Sequence, residues 1–327
     1  MRAERPAGIT EFFVAALRWP NGTPAGMTFS GDAVVWSETT EKQGGLFAAD
    51  VRIQERLLLR KAAKGNSQSS PVLAGEMLVW LEQRSGAKGG KLDVWMARPP
   101  SGASQLMIGQ VPVRGLDADG DLIVWLQRVA DKDDPDSPDD QVWTYDVAKG
   151  RLRQIEAGAG PKTDIAVSRG VVAWSCREPD ADDMTGVWIH DTVTGQTVHT
   201  VVNPVPSLDL SGHTLVWCSG SGDVYGLDLR TRTRFTISVA PGTQADVQID
   251  GDLVAWWDGR AARESDSGVG REQVRGDVYA YDLSTGDEIP VSTNKAAQKD
   301  PRVSGDTVVW LDERSGEWEI RGAVVRP

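Results

Sequence analysis

Seven times along the chain an apolar pair closes on a tryptophan: AVVW (Trp36), MLVW (Trp80), LIVW (Trp125), VVAW (Trp174), TLVW (Trp217), LVAW (Trp256) and TVVW (Trp310). The spacings are 44, 45, 49, 43, 39 and 54 residues. Six of the seven follow a Gly-polar turn such as SGDA, DGDL or SGDT; SRGV before Trp174 is irregular. A second run follows each anchor and alternates apolar with small or polar residues, as in QVWTYDV (141–147) and GDVYAYDL (276–283). That alternation is the period of a strand. A short turn and a third run come next, and one more short strand precedes each anchor, such as SLDL (207–210) or PRVS (301–304).

Four strands in about 45 residues, repeated seven times without a helical period, predict an all-β, seven-bladed β-propeller of four-stranded antiparallel blades. The whole chain, 1–327, reads as one propeller domain. We letter the strands of a blade a to d from the inside outward, so that b carries the tryptophan. The seventh copy ends at WEIRGAVVRP and lacks an outer strand, while ITEFFVAAL (Ile9–Leu17) precedes the first copy without a blade of its own. The N-terminal strand is therefore expected to complete the last blade, joining the chain ends and covering a sheet edge.

Several copies carry a further signature. WLDERSG (310–316) and WWDGR (256–260) place an acid two residues and an arginine four residues after the tryptophan, and GDVYAYDLSTG (276–286) and GDVYGLDL (222–229) form the next strand. On these motifs the copies resemble TolB-like propeller repeats. Copies 1, 3, 4 and 5 lack the acid–arginine pair. The resemblance covers nearly the whole chain and implies protein–protein interaction at the bacterial envelope, often in exported proteins. The pairs Asp258/Arg260 and Asp312/Arg314 recur in different blades, which favours a structural role: a carboxylate tying down the loop through paired hydrogen bonds to a guanidinium.

Aligning the inner strands on the anchors separates two faces. Seven and nine residues before the tryptophan the chain is nearly always apolar; eight and ten before it stand Asp117, Asp164, Asp209, Asp246, Gln248, Asp300 and Arg302. Period two turns the first set into the core and the second toward the central channel. The expectation is an acidic channel mouth with Arg302 as counter-charge, read either as a lining of satisfied polar groups or as a site for a cation or polar ligand. The b–c loops at 127–141, 176–186 and 258–276 are long, and variable loops on a rigid scaffold are where binding usually sits. In the first two, ten carboxylates face three cations. Asp131, Asp133, Asp134 and Asp136 are oxygen ligands of the kind calcium takes. The segment lacks the Gly of an EF-hand loop, however, and Pro135 and Pro138 suit an extended, solvated chain. Calcium is the one cofactor these residues suggest.

Composition narrows the function classes. A net charge of -12, with Lys and Arg scattered, gives no basic footprint for nucleic acid. No apolar run reaches the roughly 20 residues of a membrane span. MRAERPAGITEFFVAALRWP does not read as a signal peptide, since its apolar stretch is short and follows Glu11. The chain as given reads as cytoplasmic, or as a trimmed exported protein of the periplasm or cell exterior. Cys176 and Cys218, each near a buried-looking tryptophan, read as core thiols or as one bridge between neighbouring segments. His190, His199 and His213 lack metal-ligand spacing, and no nucleophile elbow or phosphate loop is present. The sequence reading is a monomeric, non-catalytic scaffold that binds a protein through its acidic loop face and channel mouth. The alternative is a carbohydrate-active enzyme or lectin using channel carboxylates.

Overall fold

A computed structural model of the protein describes residues 9–17, 26–39, 44–87, 89–99, 102–129, 139–158, 160–177, 185–201, 204–260 and 275–325. Its strands form seven four-stranded antiparallel sheets. Blades 1 to 6 span 27–61, 67–111, 113–155, 162–201, 207–238 and 244–292, each in sequence order from the channel outward. Blade 7 takes three strands from 298–324 and its outermost strand, Glu11–Ala16, from the other end of the chain. Glu11 pairs with Ala323 and Ala16 with Glu319, so the N-terminal strand closes the ring as the sequence predicts. Among the described residues no segment is helical, and no helix is long and apolar enough to cross a membrane.

The core lies between blades rather than within them. One cluster joins Val309, Leu311 and Ile320 of blade 7 to Val34 and Trp36 of blade 1; another joins Val124 and Leu126 of blade 3 to Val172 and Trp174 of blade 4. All seven anchor tryptophans are buried. In six blades the tryptophan faces an aromatic ring on strand c: Phe47, Trp95, Trp143, Trp188, Tyr225 or Tyr279, with centroids 5.8 to 6.5 Å apart. In blade 7, Arg321 stands opposite Trp310 instead. No disulfide joins Cys176 and Cys218; both thiols are buried, and burial pushes Cys218 up to about 12.

The acid–arginine motif ties the b–c loop to the buried indole. In blade 7 the Trp310 indole donates to Asp312 (3.0 Å), and Arg314 donates to the same carboxylate from its backbone N–H (2.9 Å), Nε (2.8 Å) and Nη2 (2.5 Å). Arg314 also bonds Glu11, which clamps the N-terminal strand into the blade. Burial pushes the Asp312 carboxyl up, but the Arg314 and Trp310 donors outweigh it and hold the group below the usual carboxylate range. Blade 6 repeats the arrangement with Trp256, Asp258 and Arg260, whose guanidinium continues to Glu288. In blade 2 Arg84 turns away to Asp93, and Asn66 and Gln68 take its place on Glu82. Blade 1 lacks the motif arginine in sequence yet rebuilds the pairing: Trp36 donates to Glu38 (2.7 Å), and Arg56 arrives from strand d (2.9 Å). In blades 3, 4 and 5 the indole N–H groups of Trp125, Trp174 and Trp217 have no acceptor.

This difference between blades is measurable. Trp310→Phe and Trp217→Phe both remove ring surface, but only the first deprives a buried carboxylate of a donor. Urea unfolding should show Trp310→Phe costing about 1.5–3 kcal/mol more than Trp217→Phe, the range for hydrogen bonds to charged groups. Equal losses would show that the indole–carboxylate bond contributes nothing.

Candidate functional site: the central channel

The inner strand of each blade has one hydrogen-bonding edge with no partner strand, and that edge faces the channel. Side chains of the preceding blade satisfy part of it. Asp117 of blade 3 accepts from the Val167 N–H of blade 4 (2.7 Å), Asp164 of blade 4 from Leu208 of blade 5 (2.9 Å), and Asp209 of blade 5 from Ile249 of blade 6 (2.8 Å). Two residues beyond Asp117 and Asp209, and four beyond Asp164, a second tier repeats the device at the a–b turns. Asp119, Ser168, Ser211, Asp250 and Ser304 accept from the turn N–H of Arg169, Gly212, Gly251, Gly305 and Gly31 of the next blade. Arg302 makes the matching contact at the closure of the ring, donating from Nε to the Met27 carbonyl (2.8 Å). Among the described residues no such side-chain bond joins blade 1 to blade 2 or blade 2 to blade 3, where Ala74 stands at the latch position.

These strands enclose a cavity of about 540 Å³. Asp117, Asp164, Asp209, Gln248 and Arg302 all line it, together with Asp119, Asp250, Thr28 and several serines. Its wall includes the a–b turn residues Gly75 and Gly120, so it reaches the short-turn mouth of the ring. Asp246 and Asp300 are not in its wall. Both sit at bulges where strand a slips against strand b, with left-handed φ of 54°, and Ser70 repeats this in blade 2 at 48°. A non-glycine residue in that region is held there by its surroundings. The bulge turns Asp300 onto Arg302, an ion pair of 2.6 Å, and Asp246 into a separate pocket of about 350 Å³ beside Thr163, Ser207 and Gln244.

The three carboxyls in the cavity are electrostatically unusual. Desolvation by the surrounding strands is the largest influence on each, and it raises them. Asp117 goes to about 6 and Asp164 to about 7. Asp209, pushed further by repulsion from Asp117 and Asp164, goes to about 8. The N–H groups that each accepts pull the other way without cancelling the rise. Three acids that hold or release a proton near neutrality, gathered in one cavity, form an arrangement suited to proton transfer.

Asp131, Asp133, Asp134 and Asp136, the calcium candidates, lie outside the described residues. Two carboxylates at the end of that loop have structural partners: Asp140 is buried on Arg128 (3.2 Å), and Asp139 meets the buried Lys162 (3.4 Å). Among the described residues no group of three or more His, Cys, Asp or Glu is placed to hold a metal ion.

Two sets of residues went unnoticed in the sequence. The second latch tier falls six residues before each tryptophan, where the chain reads Ser30, Ala74, Asp119, Ser168, Ser211, Asp250 and Ser304. Extending the anchor alignment by two positions would have found it. Twelve residues before the tryptophan, Gln68, Lys162, Gln244 and Gln298 are buried. Lys162, Gln244 and Gln298 donate to carbonyls of the loop that enters their blade.

No protein-family model matches the chain, and no curated protein matches it. Many solved structures share its architecture. The propeller domain of the trilobed protease from Pyrococcus furiosus is 13% identical with a TM-score of 0.64, covering 95% of this chain and 94% of that one. That propeller has an open velcro topology; here Glu11–Ala16 closes the last blade. The acylaminoacyl peptidase of Pyrococcus horikoshii is 10% identical with a TM-score of 0.63, over 91% of this chain and 49% of that one. This chain thus spans about half the length of that peptidase. An oligogalacturonate lyase in complex with manganese is 13% identical with a TM-score of 0.63, over 98% and 92% of the two chains. The class is therefore a seven-bladed β-propeller. These three neighbours are an enzyme's propeller domain and two enzymes, and this contradicts the expectation of a non-catalytic protein-binding scaffold. At these identities the likeness itself shows the fold.

The raised carboxyls fix a direction for stability with pH. A carboxyl with a higher pKa folded than unfolded contributes stability that is fully present below the unfolded value and is lost as pH rises through the folded value. Asp164 and Asp209 lose theirs progressively from about pH 4 up to their folded values of about 7 and about 8. His190, lowered by burial from 6.5, works the other way and adds stability as pH rises through 6.5, but it is one group against several. Asp93 and Asp312, both lowered from 3.8, act only in more acidic solution. The melting temperature should therefore fall as pH rises from about 5 to about 8, and Asp209→Asn should flatten the part above about pH 7. A melting temperature that climbs across this window would contradict the raised values.

Proposed function

We propose that the protein is an acid–base enzyme acting on a saccharide held in the central cavity of a ring of TolB-like repeats. The observation that carries this reading is the gathering of Asp117, Asp164 and Asp209 in one cavity, with carboxyls raised to about 6, 7 and 8. Cleavage of a glycosidic bond needs one carboxyl that bears a proton and one that does not. At neutral pH Asp209 is the proton-bearing member and gives its proton to the departing glycosidic oxygen. Asp117 is the ionised member and takes a proton from the attacking water. Asp164 lies between them in value and tunes both through its charge. The cavity's hydroxyls and backbone groups suit a ligand rich in hydroxyls.

The likeness to an oligogalacturonate lyase, over nearly all of both chains, supplies a precedent for a propeller of this size named for action on a saccharide. That structure contains manganese. The described residues here do not fit a metal site, so no step is derived through one.

The test is release of reducing ends from a panel of neutral, amino and acidic oligosaccharides. Turnover should follow a bell-shaped pH profile with limbs near pH 6 and 8. Asp209→Asn, confirmed folded by circular dichroism, should lower kcat by roughly 10²–10⁴-fold. Wild-type turnover in an Asp117→Asn/Asp209→Asn double variant, or no product from any saccharide, would refute the reading.

A further inference from the structure

The cavity is polarised across the ring. Asp117, Asp164 and Asp209 stand on blades 3, 4 and 5, side by side. The opposite arc is formed by blades 7, 1 and 2, which bring Arg302, Ser304, Thr28, Ser30 and Ser70. Arg302 is the only cation among the described lining residues, and each of its three nitrogens already has a partner. It pairs with Asp300 at 2.6 Å and donates to the carbonyls of Met27 (2.8 Å) and Pro301 (2.9 Å). Its charge therefore serves Asp300, and it acts on Asp117 and Asp164 only as the smallest of the influences on them.

The acidic wall thus faces the cavity with no counter-ion of its own among the described residues. The groups that hold its carboxyls are neutral backbone N–H donors, which fix their direction and supply no counter-charge. An anionic ring placed here would meet like charge at short range in a partly desolvated space, which is costly. A protonated amine would meet the ionised Asp117 and the half-ionised Asp164, with the unprotonated oxygen of Asp209 as a further acceptor, each oriented in advance. The hydroxyls of the opposite arc match the remaining face of a sugar.

We infer that the cavity selects a saccharide bearing a free amine, with the ammonium against the Asp117–Asp164–Asp209 wall and the hydroxyl face toward blades 7, 1 and 2, and that it rejects uronic acids. This inference rests on the saccharide reading and names the ligand's charge. It also separates the protein from the lyase that shares its architecture, which is named for an acidic saccharide.

The experiment uses the intact chain and three probes of equal length at pH 7: oligomers of β-1,4-glucosamine, their N-acetylated counterparts, and oligogalacturonates. Binding is read by thermal unfolding and calorimetry, since a ligand that binds only the folded state raises the melting temperature. The free-amine oligomers should raise it by several degrees and bind at least about tenfold more tightly than the N-acetylated ones, with no rise from oligogalacturonates. Asp164→Asn should narrow that preference. Equal or tighter binding of the N-acetylated or acidic oligomers would overturn the inference and leave the saccharide reading standing. An Asp164→Asn variant that keeps the full preference would overturn it in the same way. No binding of any oligomer would overturn both.

Discussion

The innermost strand of every blade has a backbone edge with no neighbouring strand to pair with. Buried backbone N–H groups need acceptors, and an unpaired edge invites the wrong ones. The ring answers with side chains handed from blade to blade. Carboxylates of Asp117, Asp164 and Asp209 reach the strand of the following blade, and a second tier reaches its a–b turn. Because each bond crosses a blade boundary, the residues that finish the sheet edges also set how blades face one another. The polar character of the channel follows from this requirement before any ligand is considered.

Magnitudes separate the two kinds of contact. Burying a tryptophan removes roughly 200 Å² from water, an upper estimate of about 5 kcal/mol for each anchor. One latch bond adds about 0.5–1.5 kcal/mol where the acceptor is a neutral serine and about 1.5–3 kcal/mol where it is an ionised carboxylate. The seven tryptophans and the clusters between blades therefore supply most of the stability, and the latches supply orientation. This explains how blade 2 joins blades 1 and 3 with no such latch among the described residues: apolar contacts through Trp80 and Trp125 hold those junctions. It also explains how Trp125, Trp174 and Trp217 tolerate orphaned indole N–H groups. The penalty of a missing acceptor is smaller than the gain from burying the ring.

Most of the fold was legible because propeller repeats keep a fixed period. The tryptophan anchors set the number of blades, and the surplus strand at Ile9–Leu17 pointed to the closure. The inner-strand alternation pointed to Asp117, Asp164, Asp209, Gln248 and Arg302, which line the central cavity. It failed at Asp246 and Asp300 because a bulge adds a residue and breaks strict period two. A left-handed residue leaves little trace in sequence when it is Asp rather than Gly. The rescue of blade 1 by Arg56 was also hidden, since the arginine comes from strand d, 18 residues on, and reaches across strand c to Glu38 on strand b. The functional expectation failed for another reason: it rested on repeat motifs that describe how a blade is built, and one architecture serves many activities.

The channel carboxylates perform two tasks that are compatible for a chemical reason. A carboxylate oxygen has two lone pairs, and a backbone N–H occupies only one of them. Asp164 and Asp209 each accept an N–H on both oxygens, from Ile165 and Leu208 and from Leu210 and Ile249. The remaining lone pairs stay available. Since the donors are neutral, they orient the acids without discharging them, and crowding by strands and by one another then raises their pKa values. An ion-paired arginine in the same place would have given a firmer latch and a chemically inert one, as Asp312 with Arg314 illustrates. Satisfying the inner edge with acids rather than with salt bridges is therefore what leaves the centre of this ring both rigid and reactive.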